Sequence, residues 1–180
     1  MMDCTDRHDR YFLRTISKNV KLYTEMIVAN AIIKGNKDRL LKFNSLEKPL
    51  ALQIGGSDPK ELAEATKIAE NYGYDEINLN LGCPSKKVQK NKFGACLMKE
   101  PNLVGECVNA MKRSSNLPVT VKTRIGYDDH EDYEYLKKFL TIIKNAGAEN
   151  FIIHARRAIL NKLTPKQNLT IPPLNYNFVY

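Results

Sequence analysis

A chain of 180 residues that is 43% hydrophobic can bury one core, so a single domain spanning 1–180 is expected; no apolar run approaches a membrane span, and the polar start MMDCTDRHDR is unlike a signal peptide. Lysine and arginine number 28 against 20 aspartates and glutamates, a formal charge of +8 that suits a polyanion such as nucleic acid and equally a solvated lysine-rich surface. The 4 cysteines form no CxxC pair and the 3 histidines are far apart, which argues against a metal site or a disulfide framework and for a cytoplasmic protein with reduced thiols.

Along the chain, hydrophobic alternation and turn signals give strand then helix repeatedly. Strands are predicted at 21–26 (KLYTEM), 49–54 (PLALQI), 76–81 (EINLNL), 118–124 (PVTVKTR) and 150–154 (NFIIH), each a β-branched or leucine-rich run too short for a helix. A helix is predicted at 59–72, where Pro59 follows the capping residue Asp58 and Leu62, Ala63, Ala65, Ile68 and Ala69 share one face. Helices at 101–115 and 131–146 continue the order, the second closed by Asn145-Ala146-Gly147. This alternation implies an α/β fold with a parallel sheet and helices outside it, and leaves a closed barrel and an open sheet both open.

Residues 75–98, DEINLNLGCPSKKVQKNKFGACLM, are the most informative stretch. Ile77, Leu79 and Leu81 alternate with Asn78 and Asn80, and the strand ends in Gly82-Cys83-Pro84. That places a thiol on the lip of a parallel sheet, and Pro84 biases Cys83 toward an extended conformation, so a stiff turn presents it. The two asparagines carry donors and acceptors suited to a planar, amide-bearing ring. Cys96, flanked by Ala95, Leu97 and Met98, reads as a packing residue. Gln53 closes a strand at ALQIGG, where Gly55-Gly56 would let a ligand approach the backbone. Lys122, among valines and threonines, should be costly unless an anion pairs with it. Lysines cluster at 86, 87, 90 and 92, and basic residues again at Arg156, Arg157, Lys162 and Lys166. Both clusters follow strand ends, so they should ring the mouth that holds the thiol.

With MMDCTDRHDRYF, LYTEM, ALQIGGSDPK, VTVKTRIG, IIHARRAIL and LTPKQNLTIPPL in that order, this segment resembles the tRNA-dihydrouridine synthases, specifically their A subfamily, over essentially the whole chain. The resemblance implies an eight-stranded TIM barrel holding FMN, followed by a small helical domain. The five predicted strands match its second to sixth, and Met1-Met2 match the end of the first. Its seventh and eighth strands and helical domain have no counterpart here, so the expectation is a partial barrel, a monomer, read as a fragment that holds FMN weakly.

The implied reaction reduces the C5–C6 double bond of uridine in the tRNA D-loop, with NADPH as reductant and FMN as hydride carrier. Such chemistry needs an acid on the far side of a base drawn out of its stack. Cys83 matches that acid, since a thiol with a reference pKa near ~8.5 keeps its proton at neutral pH. Met1, Met2, Gln53, Lys122 and His154 match flavin-contacting positions, Lys122 facing the charge that gathers on the ring when it is reduced. Asn80 matches a position that touches the target nucleotide, and Lys166 one that grips the tRNA backbone. Two departures stand out: Leu169 replaces a usual arginine and removes a bidentate phosphate ligand, and Asn91 replaces a usual glycine as the residue that best tolerates positive φ. The alternatives are a flavin barrel acting on a free pyrimidine, which would need neither basic cluster, and a non-catalytic remnant that binds RNA weakly.

Overall fold

The computed structural model describes residues 4–180; the expected flavin contacts Met1 and Met2 lie outside the described residues. The chain opens with α1 (Arg7–Ile16), whose N-cap Asp6 accepts from the N–H groups of His8 and Asp9. Its inward side is Arg10 and Arg14, one turn apart, while Phe12 and Ile16 face outward. Arg10 Nε donates to Glu47 Oε2 at 2.6 Å, and Arg14 donates to the Glu47 and Ser17 carbonyls.

The predicted strand 21–26 is two short strands, β1 (Leu22–Tyr23) and β2 (Ile27–Val28), both parallel to β3 (Leu50–Gly55). Leu22 pairs with Leu50 and Ile27 with Ile54, so five steps along one edge oppose four along the other. That extra residue is a bulge, which interrupts the ladder after Thr24, whose N–H still donates to the Ala51 carbonyl at 3.0 Å. Helices α2 (Ala29–Lys34) and α3 (Lys37–Leu41) follow β2. The rest keeps the predicted order, with one unpredicted helix, α5 (Lys86–Lys90), inserted: α4 (Pro59–Asn71), β4 (Glu76–Leu81), α5, α6 (Pro101–Ser114), β5 (Val119–Arg124), α7 (Tyr133–Asn145) and β6 (Asn150–His154). At the end of α7, Gly147 takes φ +113°, the left-handed C-cap geometry its sequence announced.

All strand pairs are parallel, in the order β1-β3-β4-β5-β6 with β2 also on β3, and the sheet curls as part of a (β/α)8 barrel. Register divides it into two faces. Leu50, Leu52, Ile54, Ile77, Leu79, Leu81, Val119 and Val121 point to one side, where they form the core with Leu62 and Ala65 of α4 and Val104, Val108 and Met111 of α6. Gln53, Asn78 and Thr120 line up on the other face, as do Asn80 with Lys122 and Arg124 with His154. The apolar face holds the helices and the polar face is left for chemistry.

Candidate active site

Every strand of the parallel sheet ends on the same side, so Gly55, Leu81, Arg124 and His154 mark one rim. The Cys83 turn leaves β4 at that rim with its backbone held on four sides. Asn80 Oδ1 accepts the N–H groups of Gly82 at 3.1 Å and Cys83 at 3.0 Å. Arg124 Nε donates to the Gly82 carbonyl at 2.9 Å, and the Ala95 N–H donates to the Cys83 carbonyl at 2.9 Å. Gly94 sits directly behind: at φ +75°, an added Cβ would lie 2.6 Å from the Cys83 carbonyl oxygen and 2.5 Å from Val88 Cγ1. The Cys83 side chain is half-buried. Cys96 is also half-buried, but its Sγ donates to the Phe93 carbonyl at 3.1 Å beside Ala95, Ala158 and Leu160, and burial pushes its pKa up.

Three cations, Lys122, Arg124 and Arg156, act on one another and on His154 beside this turn. Lys122 pairs in register with Asn80, and Arg124 with His154. Burial, and then the Arg124 charge, hold the Lys122 ammonium below the usual lysine range, while Cys83 pulls the other way. Burial pushes Arg124 down to about 10, still charged at neutral pH. His154 is pushed down to about 4 by burial first and by Arg124, Lys122 and Arg156 after it, so its imidazole is neutral. Among the described residues no carboxylate pairs with Lys122, Arg124 or Arg156. A half-buried ammonium without a counter-ion is a seat for an anion or for a ring that gathers negative charge.

Several sequence expectations need correction. Asn78 faces no ligand: it is fully buried, and its amide is spent on Gln53 and Thr120. The amide of Gln53 is tied to Asn78 at 3.0 Å and Asn80 at 2.8 Å, which leaves one N–H and one lone pair free. Gly55 and Gly56 admit protein, not ligand. A Cβ on Gly55 would meet the Phe93 ring at 2.8 Å, and one on Gly56 would meet Leu62 at 3.1 Å. Asn91 has φ −93°, and the positive φ falls on Lys92 instead. Lys166 and Leu169 are both exposed, at either end of a single 3-10 turn.

Two residues of this site carried no readable role in the sequence. Arg124 Nη1 donates to the carbonyls of Arg157 at 3.2 Å and Asn168 at 3.0 Å, so one guanidinium joins the thiol turn to two later loops. Asn168, fully buried, accepts from the Ile159 N–H at 2.7 Å and donates to the carbonyls of Ile159 and Thr164. The one signal was positional: an arginine ending a buried strand and an asparagine inside a polar loop.

A parallel β/α barrel segment with thiol, ammonium and imidazole on the C-terminal rim belongs to the class of α/β-barrel proteins that keep their chemistry at that end. The dihydrouridine synthase family model matches residues 1–180, and the chain belongs to that family. It is 57% identical over all of its 180 residues to the tRNA-dihydrouridine(20/20a) synthase of Synechocystis sp., covering 54% of that protein. It is 56% identical to proteins of the same name from Shewanella oneidensis and Escherichia coli O6:H1, covering 53% and 54% of them. The chain thus spans about half the length of the curated relatives it matches.

Proposed function

We propose that the protein takes part in reducing uridine to 5,6-dihydrouridine in the D-loop of tRNA, with residues 1–180 forming part of an FMN-holding barrel and NADPH as the reductant. The observation that carries this reading is the Cys83 turn, its backbone fixed by Asn80 and Arg124 beside Lys122, which pairs in register with Asn80. The residues fit a flavin ring: among the described residues the Lys122 ammonium has no carboxylate partner, the neutral His154 imidazole can donate or accept, and the Gln53 amide keeps one free N–H. Bound flavin would supply the hydride.

The other tasks fall to the chain. Lys122, His154 and Gln53 would hold the ring from the polar face of the sheet. Asn80 spends its oxygen on the thiol turn and one N–H on Gln53, so its second N–H is left to orient the uracil. Cys83 donates the proton to the carbon that receives no hydride. Lys166 and the exposed lysines of α5 would meet tRNA phosphates, with Leu169 leaving a gap among them.

The test is dihydrouridine formed per tRNA in single-turnover reactions starting from reduced, flavin-loaded protein. Cys83→Ala should lower the yield rate by roughly 10²–10⁴-fold while still allowing flavin reduction by NADPH. Cys96→Ala should leave it nearly unchanged. Loss of product with Cys96→Ala but not with Cys83→Ala would move the proton donor to the other thiol.

A further inference from the structure

From the Lys21 end of the sheet to the thiol turn, the polar face is one continuous hydrogen-bonded chain. Glu76, only 2% exposed, accepts from Lys21 Nζ at 2.5 Å, from the Tyr23 hydroxyl at 3.2 Å and from the Thr120 hydroxyl at 2.6 Å. Thr120 Oγ1 accepts from Asn78 Nδ2 at 2.9 Å, and Asn78 Oδ1 accepts from Gln53 Nε2 at 3.0 Å. Gln53 Oε1 then accepts from Asn80 Nδ2 at 2.8 Å, and Asn80 Oδ1 takes the N–H groups of Gly82 and Cys83.

An amide side chain fills the same space in either of two orientations, so the direction of such a chain must be set at its ends. A carboxylate only accepts and a backbone N–H only donates. Here the two ends demand the same direction. The Thr120 hydroxyl has one other acceptor within reach, the Ile77 carbonyl, but at 3.5 Å against 2.6 Å the carboxylate wins.

We propose that Glu76 is a positioning residue for the Cys83 turn. As an obligate acceptor it takes the Thr120 hydroxyl, and that choice fixes Asn78, Gln53 and Asn80 in sequence. The result reinforces what the backbone end asks for: an oxygen, and not an NH₂ group, facing the amides of Gly82 and Cys83. The same chain fixes which atoms of Gln53 remain free on the polar face. What the thiol is used for rests on the function proposed above; how its turn is held does not.

The experiment reads the turn directly, by hydrogen exchange of the Gly82 and Cys83 amides and by the alkylation rate of Cys83 with iodoacetamide, neither of which needs flavin or tRNA. In Glu76→Gln, Lys21 claims the single oxygen and the new NH₂ meets Thr120. Exchange at both amides should then rise roughly tenfold, the factor one hydrogen bond carries, with Cys83 alkylated faster and the Val121 amide unchanged. Lys21→Met combined with Glu76→Gln frees the amide to turn its oxygen toward Thr120, and should restore slow exchange. Thr120→Val is nearly isosteric, keeps the Lys21–Glu76 ion pair and cuts the chain; it should loosen the turn as Glu76→Gln does, and decides the matter alone if that variant does not fold. Wild-type exchange in Thr120→Val, or a double variant as fast as Glu76→Gln, overturns the proposal.

Discussion

His154 shows how much of a residue's behaviour is set by neighbours distant in sequence. The tetrapeptide FIIH says only that a histidine ends an apolar strand; what holds it neutral is burial in the fold first, and then cations from β5 and from the loop after β6. Its pKa in the fold is about 4, against an ordinary 6.5. Unfolded chain therefore takes up this proton near 6.5 and folded chain resists until near 4, so the stability it carries is present above about 6.5 and is lost as pH falls toward about 4. Urea midpoints measured across that window should fall with pH, and His154→Gln should flatten part of the slope. The positions of Cys83 and Lys122 on the rim were legible from strand ends, a thiol before proline and a charge among valines, while their roles rested on the resemblance. Arg124 was not, because its partners are three backbone carbonyls, which leave no mark in a sequence.

The elements were legible wherever an apolar stripe marks the buried side. Strands β3 to β6 and helices α4, α6 and α7 fall within two residues of where alternation and caps put them. Helix α1 escaped because its stripe is inverted: guanidinium groups face inward to Glu47 and backbone carbonyls, and apolar side chains face out. The division into β1 and β2 escaped because a bulge depends on its partner strand. Behind the thiol turn, the 3-10 segment Gly94–Lys99 begins at a glycine that only glycine suits. Gly94→Ala adds both an unfavourable φ and a clash with the Cys83 carbonyl, and should cost roughly 1–3 kcal/mol in a urea titration. Arg124→Met leaves the carbonyls of Gly82, Arg157 and Asn168 without their donor and should cost about 2–4 kcal/mol in the same measurement.

For the molecule as a whole, two groups of exposed lysines follow strand ends at one rim. Lys86, Lys87, Lys90 and Lys92 are exposed just beyond the thiol turn, and Lys162 and Lys166 are exposed beyond β6. If these meet phosphates, tRNA affinity should fall steeply with salt. Lys166→Ala should then reduce the slope of log affinity against log salt by about one unit. Leu169→Arg should tighten binding, and filter binding across a salt series reads both effects. Unchanged slopes would place these side chains away from RNA. Alternation in the sequence had pointed to a parallel sheet without separating barrel from open sheet, because closure is a property of register and curl and not of any one strand.

The guanidinium of Arg124 has a mechanical consequence. It grips the turn that carries Cys83 and, through the Asn168 carbonyl, the short turn bounded by Lys166 and Leu169. Those two pieces of chain are tied through that guanidinium, and Gln89 Nε2, which donates to the Pro84 and Leu160 carbonyls at 2.9 Å each, adds a second tie between the thiol turn and the loop after β6. A pull on the outer loop would reach the thiol turn through side-chain bonds to backbone carbonyls and not through the ladder of the strands.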